Sequence, residues 1–373
     1  MSVVSKYLEN SGTVNPRIAS LRLHNQYISR PELETPEAVV EWLVAVQSQD
    51  YGGAKWAVGQ RASGIDDAAV EKAFTDGTIL RTHVMRPTWH FVLPADIRWL
   101  VELTSPRVDK LLATYDRKMG LERAEITRAA KLMAKALAGH NYLTRTELAE
   151  VMERGGIATQ DGELRLTHLV MHAELDGVIC SGPRRGKQFT YGLIDERAPD
   201  ARSLSHDEAL AELSRRFFTS RGPVTTADFS WWSGLTVGDS RKGLEMVKDG
   251  LESEVNDGQE YWFGPSTEPV TKDKSPTVYL LPNYDEYMSA YKDRSAIFDM
   301  KYASKFDEHR NAIFNHFIVL DGEIVGTWKR TLNAKDVVMQ YDPFFELNAT
   351  QKKVVEKEIR RFGEFVGLPV VMK

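Results

Sequence analysis

Two widely separated segments of the chain share one pattern. Residues 143–148 read LTRTEL and residues 224–229 read VTTADF, so each has an apolar residue, a threonine and, three residues after the threonine, an acid. A threonine in this position can cap the first turn of a helix, and the acid complements the positive helix N-terminus. Each segment therefore predicts a helix start, and the repetition predicts similar units in tandem.

The residues that follow the first segment have the order of a winged helix. A short helix to about Met152 and a break at Gly155-Gly156 lead to an apolar-periodic helix over 166–175. Two strands, 178–180 and 188–193, then flank a basic turn over 181–186. Strands joined by a turn of this kind form the wing. We therefore expect a winged helix over 140–200.

Looser versions of this order occur twice more. After the second segment, a helix over 238–247 precedes two strands, 251–255 and 260–263, which are joined at Asn256-Asp257-Gly258. Near the N-terminus, Thr35-Pro36 opens a helix with proline at its favoured first position. Residues 89–93 (WHFVL) take the place of the last strand of that unit.

These patterns together predict a mainly helical α+β fold with three tandem winged-helix units and a β-rich C-terminal module. Beyond residue 275 the apolar runs are β-rich, Asp321-Gly322 is a hairpin turn, and residues 349–365 read as one amphipathic helix. The expected bounds are 1–94 for an N-terminal winged-helix-like unit, 95–139 for a helical linker, 140–200 and 201–270 for two winged helices, and 271–373 for the module.

Composition places the chain among ordinary globular proteins. Hydrophobic residues make up 42% and charged residues 27%, which leaves no case for extensive disorder. The single cysteine, Cys180, excludes an intramolecular disulfide and a cysteine-rich metal site. No apolar stretch has the length of a signal peptide core or a membrane span. We therefore expect a cytoplasmic protein with no membrane partner.

Net charge argues against a uniformly basic surface. The formal charge is −5 and the isoelectric point is near 6.0, whereas a DNA-binding protein is often globally basic. If DNA is the partner, the positive charge must be concentrated on one face. Local candidates are the wing cations Arg184, Arg185 and Lys187, and Arg165 and His168 on the helix before the wing, although such residues are equally common on a solvated surface.

Three segments resemble one known family. Residues 45–61 (AVQSQDYGGAKWAVGQR), 80–92 (LRTHVMRPTWHFV) and 280–285 (LLPNYD) resemble the winged-helix DNA glycosylases of the AlkZ and YcaQ type. The resemblance implies three tandem winged helices closed by a β-rich module, and activity on alkylated bases or interstrand crosslinks. It also implies that a Gln-x-Gln motif carries the chemistry, here Gln47 and Gln49.

Amide chemistry limits what this motif can do. A glutamine cannot remove a proton from water near neutral pH, but it can orient water, and its carbonyl oxygen can stabilise positive charge on the sugar. That suffices when the leaving base is already cationic, as an N3- or N7-alkylated purine is. The alternative is that both glutamines cap a helix end beside Gly52-Gly53. Because helical residues two apart point about 200° from each other, a helix must loosen or end at the motif.

Four further residues are candidates for the same cleft. Asp50 could act as a base or stabilise an oxocarbenium ion directly, although the residue pattern favours an exposed acid at a helix end. Arg86 could meet phosphate through charge-assisted hydrogen bonds. For His83 and His90 a structural role is as well supported as a functional one. We expect Arg86 and the three wing cations to face one concave surface.

Metal and nucleotide motifs are missing from the sequence. The nine histidines include no HExxH, and there is no GxxxxGK[ST] or strand-linked GxGxxG segment. His168 and His172 are spaced i, i+4, but no third ligand accompanies them in the sequence. The sequence therefore predicts neither a metal nor a cofactor.

The predicted function is a monofunctional DNA glycosylase. It would hydrolyse the N-glycosidic bond of alkylated, cationic purines in double-stranded DNA, with bulky adducts or interstrand crosslinks included, and it would act as a monomer. A lyase would need an amine that forms a Schiff base, whereas the motif offers amides, Lys55 being the nearby exception. The alternative is a non-catalytic winged-helix DNA-binding protein or regulator, although a regulator usually reads half-sites through two-fold symmetry.

Overall fold

The computed structural model describes residues 14–160, 164–265, 276–305 and 315–373. The expected boundary between 270 and 271 lies outside these residues. Among the helices of the described segments, none combines the length and hydropathy that a bilayer crossing requires.

The N-terminal unit follows α1 (Pro16–Asn25). Its elements have the order helix, strand, helix, helix, strand, strand: α2 (Pro36–Leu43), β1 (Ala45–Gln47), α3 (Tyr51–Arg61), α4 (Asp67–Asp76), β2 (Leu80–His83) and β3 (Trp89–Val92). The strands form an antiparallel sheet in the order β1-β3-β2. Thr35 caps α2 and Pro36 is its first residue, as the sequence predicts.

The second unit repeats this order. Helix α5 (Ile97–Lys118) leads into it, and its elements are α6 (Arg123–Leu137), β4 (Leu143–Thr144), α7 (Arg145–Arg154), α8 (Arg165–Leu175), β5 (Ile179–Ser181) and β6 (Thr190–Leu193), followed by the short α9 (Ile194–Arg197). The sheet order is β4-β6-β5. Thr144 and Glu147 form the predicted capping box. Apolar residues of α6, α7 and α8 share one core.

The third unit has the same order with a shorter sheet. Its elements are α10 (His206–Arg221), α11 (Thr226–Ser233), α12 (Val237–Val247), a 3-10 turn (Lys248–Gly250), β7 (Glu252–Asn256) and β8 (Gln259–Phe263). Val224 pairs with Trp262 as a single bridge where the other units have their first strand. Thr225 and Asp228 form the second predicted capping box. Both helix starts inferred from the repeated pattern are therefore confirmed.

The C-terminal module is built on a five-stranded sheet. Its elements are β9 (Val278–Leu281), α13 (Glu286–Ser289), a 3-10 helix (Met300–Lys305), β10 (His316–Leu320), β11 (Glu323–Leu332), β12 (Val337–Pro343), α14 (Ala349–Val366) and β13 (Val370–Met372). The order is β13-β12-β11-β10-β9, antiparallel except for β12 with β13. The predicted hairpin turn lies at Asp321 and Gly322, both with positive φ.

Helix α3 joins the N-terminal unit to this module. Its Trp56 is buried, and the indole Nε1 donates to the carbonyl oxygen of Leu280 at 2.7 Å. The rings of Phe362 and Phe365 on α14 pack on the same indole, with centroids 5.1 and 5.0 Å away. A Cβ at Gly59 would lie 2.4 Å from the Phe365 ring, so this position needs glycine for α14 to approach.

Two adjacent carboxylates of the module bind arginines of two other units. Arg61, at the end of α3, donates from Nη1 and Nη2 to Asp285 at 2.9 and 2.8 Å. Arg221, at the end of α10, donates from Nε and Nη2 to Oε2 of Glu286 at 2.9 and 2.7 Å. All four side chains are buried. Arg221 also donates to the carbonyl oxygens on either side of Val44, and so holds the chain where it enters β1.

Changing Asp285 to Asn should lower the free energy of unfolding by about 3–5 kcal/mol, because the Arg61 charge would stay buried without its partner. Asparagine still caps the first turn of α13, so the cap is kept. The control is Asp76→Asn, whose aspartate pairs with Lys72 on the surface and should change stability little. Denaturant unfolding of both variants tests this, and equal stability of the two would contradict it.

Candidate active site

The Gln47–Gln49 motif lies in a strand and the connection after it. Helix α2 ends at Leu43, Val44 has a φ of 65°, and Gln47 is the last residue of β1, opposite His90. Ser48 N–H donates to the carbonyl oxygen of Trp89 at 2.8 Å. Because neither glutamine lies in a helix, their side chains are not held about 200° apart.

The two glutamines differ in exposure. Gln47 is 6% exposed, and its Oε1 accepts a hydrogen bond from Nη2 of Arg86 at 3.3 Å. Gln49 is exposed. Burial lowers the pKa of Arg86, while Glu286 opposes the shift. Gln47 is therefore a carbonyl dipole held in place by a cation, and Gln49 is open to a ligand.

Neither glutamine caps α3. Asp50 does so, because its Oδ1 accepts from the N–H of Gly53 at 3.0 Å. Its Oδ2 also pairs with Nη2 of Arg330 on β11, 3.0 Å away. The alternative in which the glutamines act as helix caps is thus wrong. An acid that already serves a cap and an ion pair is also a weaker candidate for a base than the sequence suggested.

The C-terminal module completes the surroundings of Asp50. Nη1 of Arg330 lies 3.3 Å from Nε2 of His316, and Nδ1 of His316 accepts from the N–H of Asn283 at 2.8 Å. Asn283 is in the LLPNYD segment, but nothing local in the sequence singles out His316. A Cβ on Gly53 would meet Oδ1 of Asn283 at 3.0 Å and the carboxyl of Asp50 more closely, so this glycine lets the segments approach.

His83 and His90 are both buried, with different partners. His83 Nδ1 lies 2.5 Å from Oε2 of Glu174 on α8, and its ring packs on Trp89. His90 Nδ1 faces the carbonyl oxygen of Thr88 at 3.0 Å, so the proton lies on Nδ1. Burial and then Arg86 lower the pKa of His90 well below its usual value. His90 is therefore neutral and lies opposite Gln47, while His83 ties β2 to the second unit.

The basic turn between β5 and β6 of the second unit reaches the start of α3. The guanidinium of Arg184 lies over the Tyr51 ring, 5.0 Å from its centroid, and pairs with Glu71 at 3.3 Å. Arg185 turns away and pairs with Glu147 at 2.7 Å, and Lys187 is exposed. Arg184 and Arg185, which are neighbours in this turn, are thus paired with acids of different units rather than aligned on one surface.

Arg81 connects the segment between β5 and β6 to the Gln47–Gln49 motif. Its guanidinium lies between the rings of Trp89 and Phe189, 4.3 and 4.6 Å from their centroids, and donates to the carbonyl oxygen of Ser48 from Nε and Nη2. Burial lowers the pKa of Arg81 to about 10, so it remains charged at neutral pH. Arg81 was not among the candidates predicted from the sequence, because an arginine inside a strand gives no local signal.

Arg165 and His168 lie inside the second unit, away from the motif. Arg165 donates to two backbone carbonyl oxygens and pairs with Glu125 at 2.7 Å. His168 Nδ1 lies 2.8 Å from Oδ1 of Asp116 on α5. Both side chains are buried. The face of α8 that was expected to enter a DNA groove thus packs against protein, and we do not carry these two residues forward as DNA contacts.

The structure predicts an acid-sensitive contribution to stability from His316. Burial and Arg330 lower its pKa from 6.5 to about 4, so the unfolded chain binds this proton more tightly than the folded one. The contribution is complete above about pH 6.5 and is lost as pH falls towards 4, by about 2 kcal/mol at pH 5. Melting temperatures of wild type and His316→Gln, followed from pH 7.5 to 5, should therefore show a shallower acid slope for the variant.

The matched control for that measurement is His206→Gln, at an exposed histidine on α10. It should keep the wild-type slope. A His316→Gln variant that also kept the wild-type slope would show that His316 is not held neutral.

Comparison with known proteins places this geometry in a family. The family model described as DNA glycosylase AlkZ-like matches residues 40–365. A Streptomyces sahachiroi protein named interstrand DNA cross-link repair glycosylase is 24% identical over 370 residues, which cover 94% of this chain and 96% of that protein. The solved structure of Streptomyces sahachiroi DNA glycosylase AlkZ is similar in fold, with a TM-score of 0.76 and 22% identity over 97% of this chain and 100% of that one.

The family match spans most of the chain, including the Gln47–Gln49 motif and the LLPNYD segment. The protein is a DNA glycosylase. It belongs to the AlkZ-like DNA glycosylase family, as the resemblance of its sequence segments indicates.

Proposed function

We propose that this glycosylase is monofunctional and hydrolyses the N-glycosidic bond of N3- or N7-alkylated purines in duplex DNA, with Gln47 and Gln49 as its catalytic residues. The observation that carries the proposal is the environment of Gln47, whose carbonyl oxygen is oriented by Arg86 next to the exposed Gln49. Preorganised dipoles of this kind stabilise charge that develops in a transition state. They cannot supply or remove a proton.

Because the amides cannot transfer a proton, the proposed reaction relies on the positive charge of the base. The bond between C1′ and the base nitrogen breaks, and its electron pair neutralises the cationic base, so no general acid is needed. The sugar becomes positively charged, and the amide oxygens stabilise it. Water adds to C1′ and releases its proton to solvent, which leaves an abasic site. An uncharged normal base would leave as an anion, so the same residues should not release it.

The contacts of Lys55 support a monofunctional enzyme. Its ammonium group lies 2.7 Å from Asp67 and 2.9 Å from Glu71, and the side chain is 8% exposed. A lyase needs a neutral amine that can reach C1′. Two carboxylates bind this amine and turn it towards α4.

DNA binding is proposed to come from the three repeated units. Their order of helices and strands, each ending in a two-stranded hairpin, supports winged helices. Arg86 and Lys187 are the candidate phosphate contacts for which the described residues show no ion pair with an acid. The exposure of Gln49 and the name of the Streptomyces relative support bulky adducts and interstrand crosslinks as further substrates. We propose that the enzyme acts as a cytoplasmic monomer.

Replacing Gln47 or Gln49 by Ala should slow single-turnover release of N7-methylguanine by roughly tenfold to a thousandfold, because each change removes about 1.4–4 kcal/mol of transition-state stabilisation. Affinity for duplex DNA should change little at either position. Single-turnover rates with enzyme in excess, measured beside DNA titrations, separate the two effects.

Gln340→Ala, at an exposed glutamine of β12 in the C-terminal module, is the matched control and should keep the wild-type rate. Replacing Gln47 would also remove the hydrogen-bond acceptor of Arg86. The variant Arg86→Lys therefore shows whether Arg86 acts by orienting the Gln47 amide. If both motif variants released N7-methylguanine at the wild-type rate, the assignment of Gln47 and Gln49 as catalytic residues would be wrong. The assignment of the protein as a glycosylase would not be affected.

A further inference from the structure

A second cluster of chemically active side chains lies where α8 packs against α5. His168 and His172 are one turn apart on α8, and Asp116 of α5 faces both. Oδ1 of Asp116 is 2.8 Å from Nδ1 of His168, and Oδ2 is 3.1 Å from Nε2 of His172. All three residues are buried, and none of them contacts the Gln47–Gln49 motif through a hydrogen bond or ion pair that the described residues make.

We propose that Asp116, His168 and His172 form a binding site for a divalent transition-metal ion, with zinc as the best fit. Each residue offers one ligand atom, and the three atoms lie within 4.8 Å of one another. Zinc binds imidazole nitrogen and carboxylate oxygen at about 2.0–2.2 Å, which brings tetrahedral ligand atoms to roughly 3.4 Å from each other. The observed spacing needs little adjustment to reach that value.

Asp109 supplies the outer contact that such a site needs. Its Oδ1 lies 3.4 Å from Nδ1 of His172, and neither atom has a hydrogen-bond partner within the described residues. When a metal takes Nε2 of a histidine, the proton stays on Nδ1 and is donated to a carboxylate or carbonyl, which fixes the ring. The side chain of Asp109 is 37% exposed as a whole, so the cluster lies near the surface on this side, while the Oδ1 atom that faces His172 is buried.

The consequence of metal binding would be structural. The apolar contacts of Val108 and Leu112 on α5 with Met171 and Leu175 on α8 lie beside the cluster. A metal bound by both helices would clamp the second unit to the helix that leads into it. Because Glu174 of α8 binds His83, the clamp would also hold β2 of the N-terminal unit.

The competing interpretation is that protons alone bridge the carboxylates and the imidazoles. The cluster would then be an ordinary buried hydrogen-bond network with no affinity for metal. The two interpretations differ in stoichiometric zinc binding by the wild-type chain, which does not depend on any variant folding.

The test uses the full-length protein after dialysis against EDTA and then metal-free buffer. Titration calorimetry with ZnCl₂ should show one ion per chain, and the melting temperature should rise with zinc concentration, because a ligand that binds the folded state stabilises it. His168→Asn and Asp116→Asn should each weaken zinc binding at least about 100-fold. Asp109→Asn should weaken it about 10–100-fold, as expected for an outer-sphere partner.

His206→Asn removes an exposed histidine elsewhere and should bind zinc like the wild type. Visible absorption of Co²⁺ in the wild type should report nitrogen and oxygen ligands, and excess zinc should displace it. The proposal is overturned if the wild type binds no zinc with a defined stoichiometry, or if His168→Asn, shown to be folded by circular dichroism, binds it as tightly as the wild type.

Discussion

The buried ion pairs of Asp285 and Glu286 hold the functional part of the structure together. Taking four charges out of water is costly, and only close pairing with good hydrogen bonds compensates for it. Through Arg61 and Arg221, these two carboxylates fix the end of α3 and the entry to β1, which lie on either side of the Gln47–Gln49 motif. The Gln47–Gln49 motif is therefore positioned by a module that lies far from it in the sequence.

The candidate site contains neutral amides and engaged or neutral titratable groups. Gln47 is oriented by Arg86, His90 is held neutral by burial, and Asp50 is engaged by Arg330. None of these groups is arranged as a strong acid or base. Our proposal that the leaving base brings its own positive charge follows from that arrangement, and it explains how a glycosylase could spare undamaged DNA without reading the sequence.

Local signals in the sequence predicted much of the fold and less of the site. The threonine caps of α7 and α11 depend on residues three apart, so they could be read directly. The sequence did not indicate which face of α8 packs inwards. Hydrophobic periodicity identifies an amphipathic helix, but it does not identify the element that the helix packs against. Arg165 and His168 were therefore expected on the surface, and Asp116 could not be matched to His168 because α5 and α8 meet only in the folded chain. Gln47 and Gln49 stood out through family resemblance.

The most direct test of the account is one incubation of the wild-type protein with duplex DNA that carries a single N7-methylguanine. We expect release of the free base, strand scission only after heat or alkali, and no covalent complex on borohydride treatment, as a monofunctional enzyme requires. An enzyme that binds this duplex and releases no base would contradict the proposed substrate. Trapping of a covalent complex with borohydride would instead show an amine nucleophile and contradict the monofunctional mechanism.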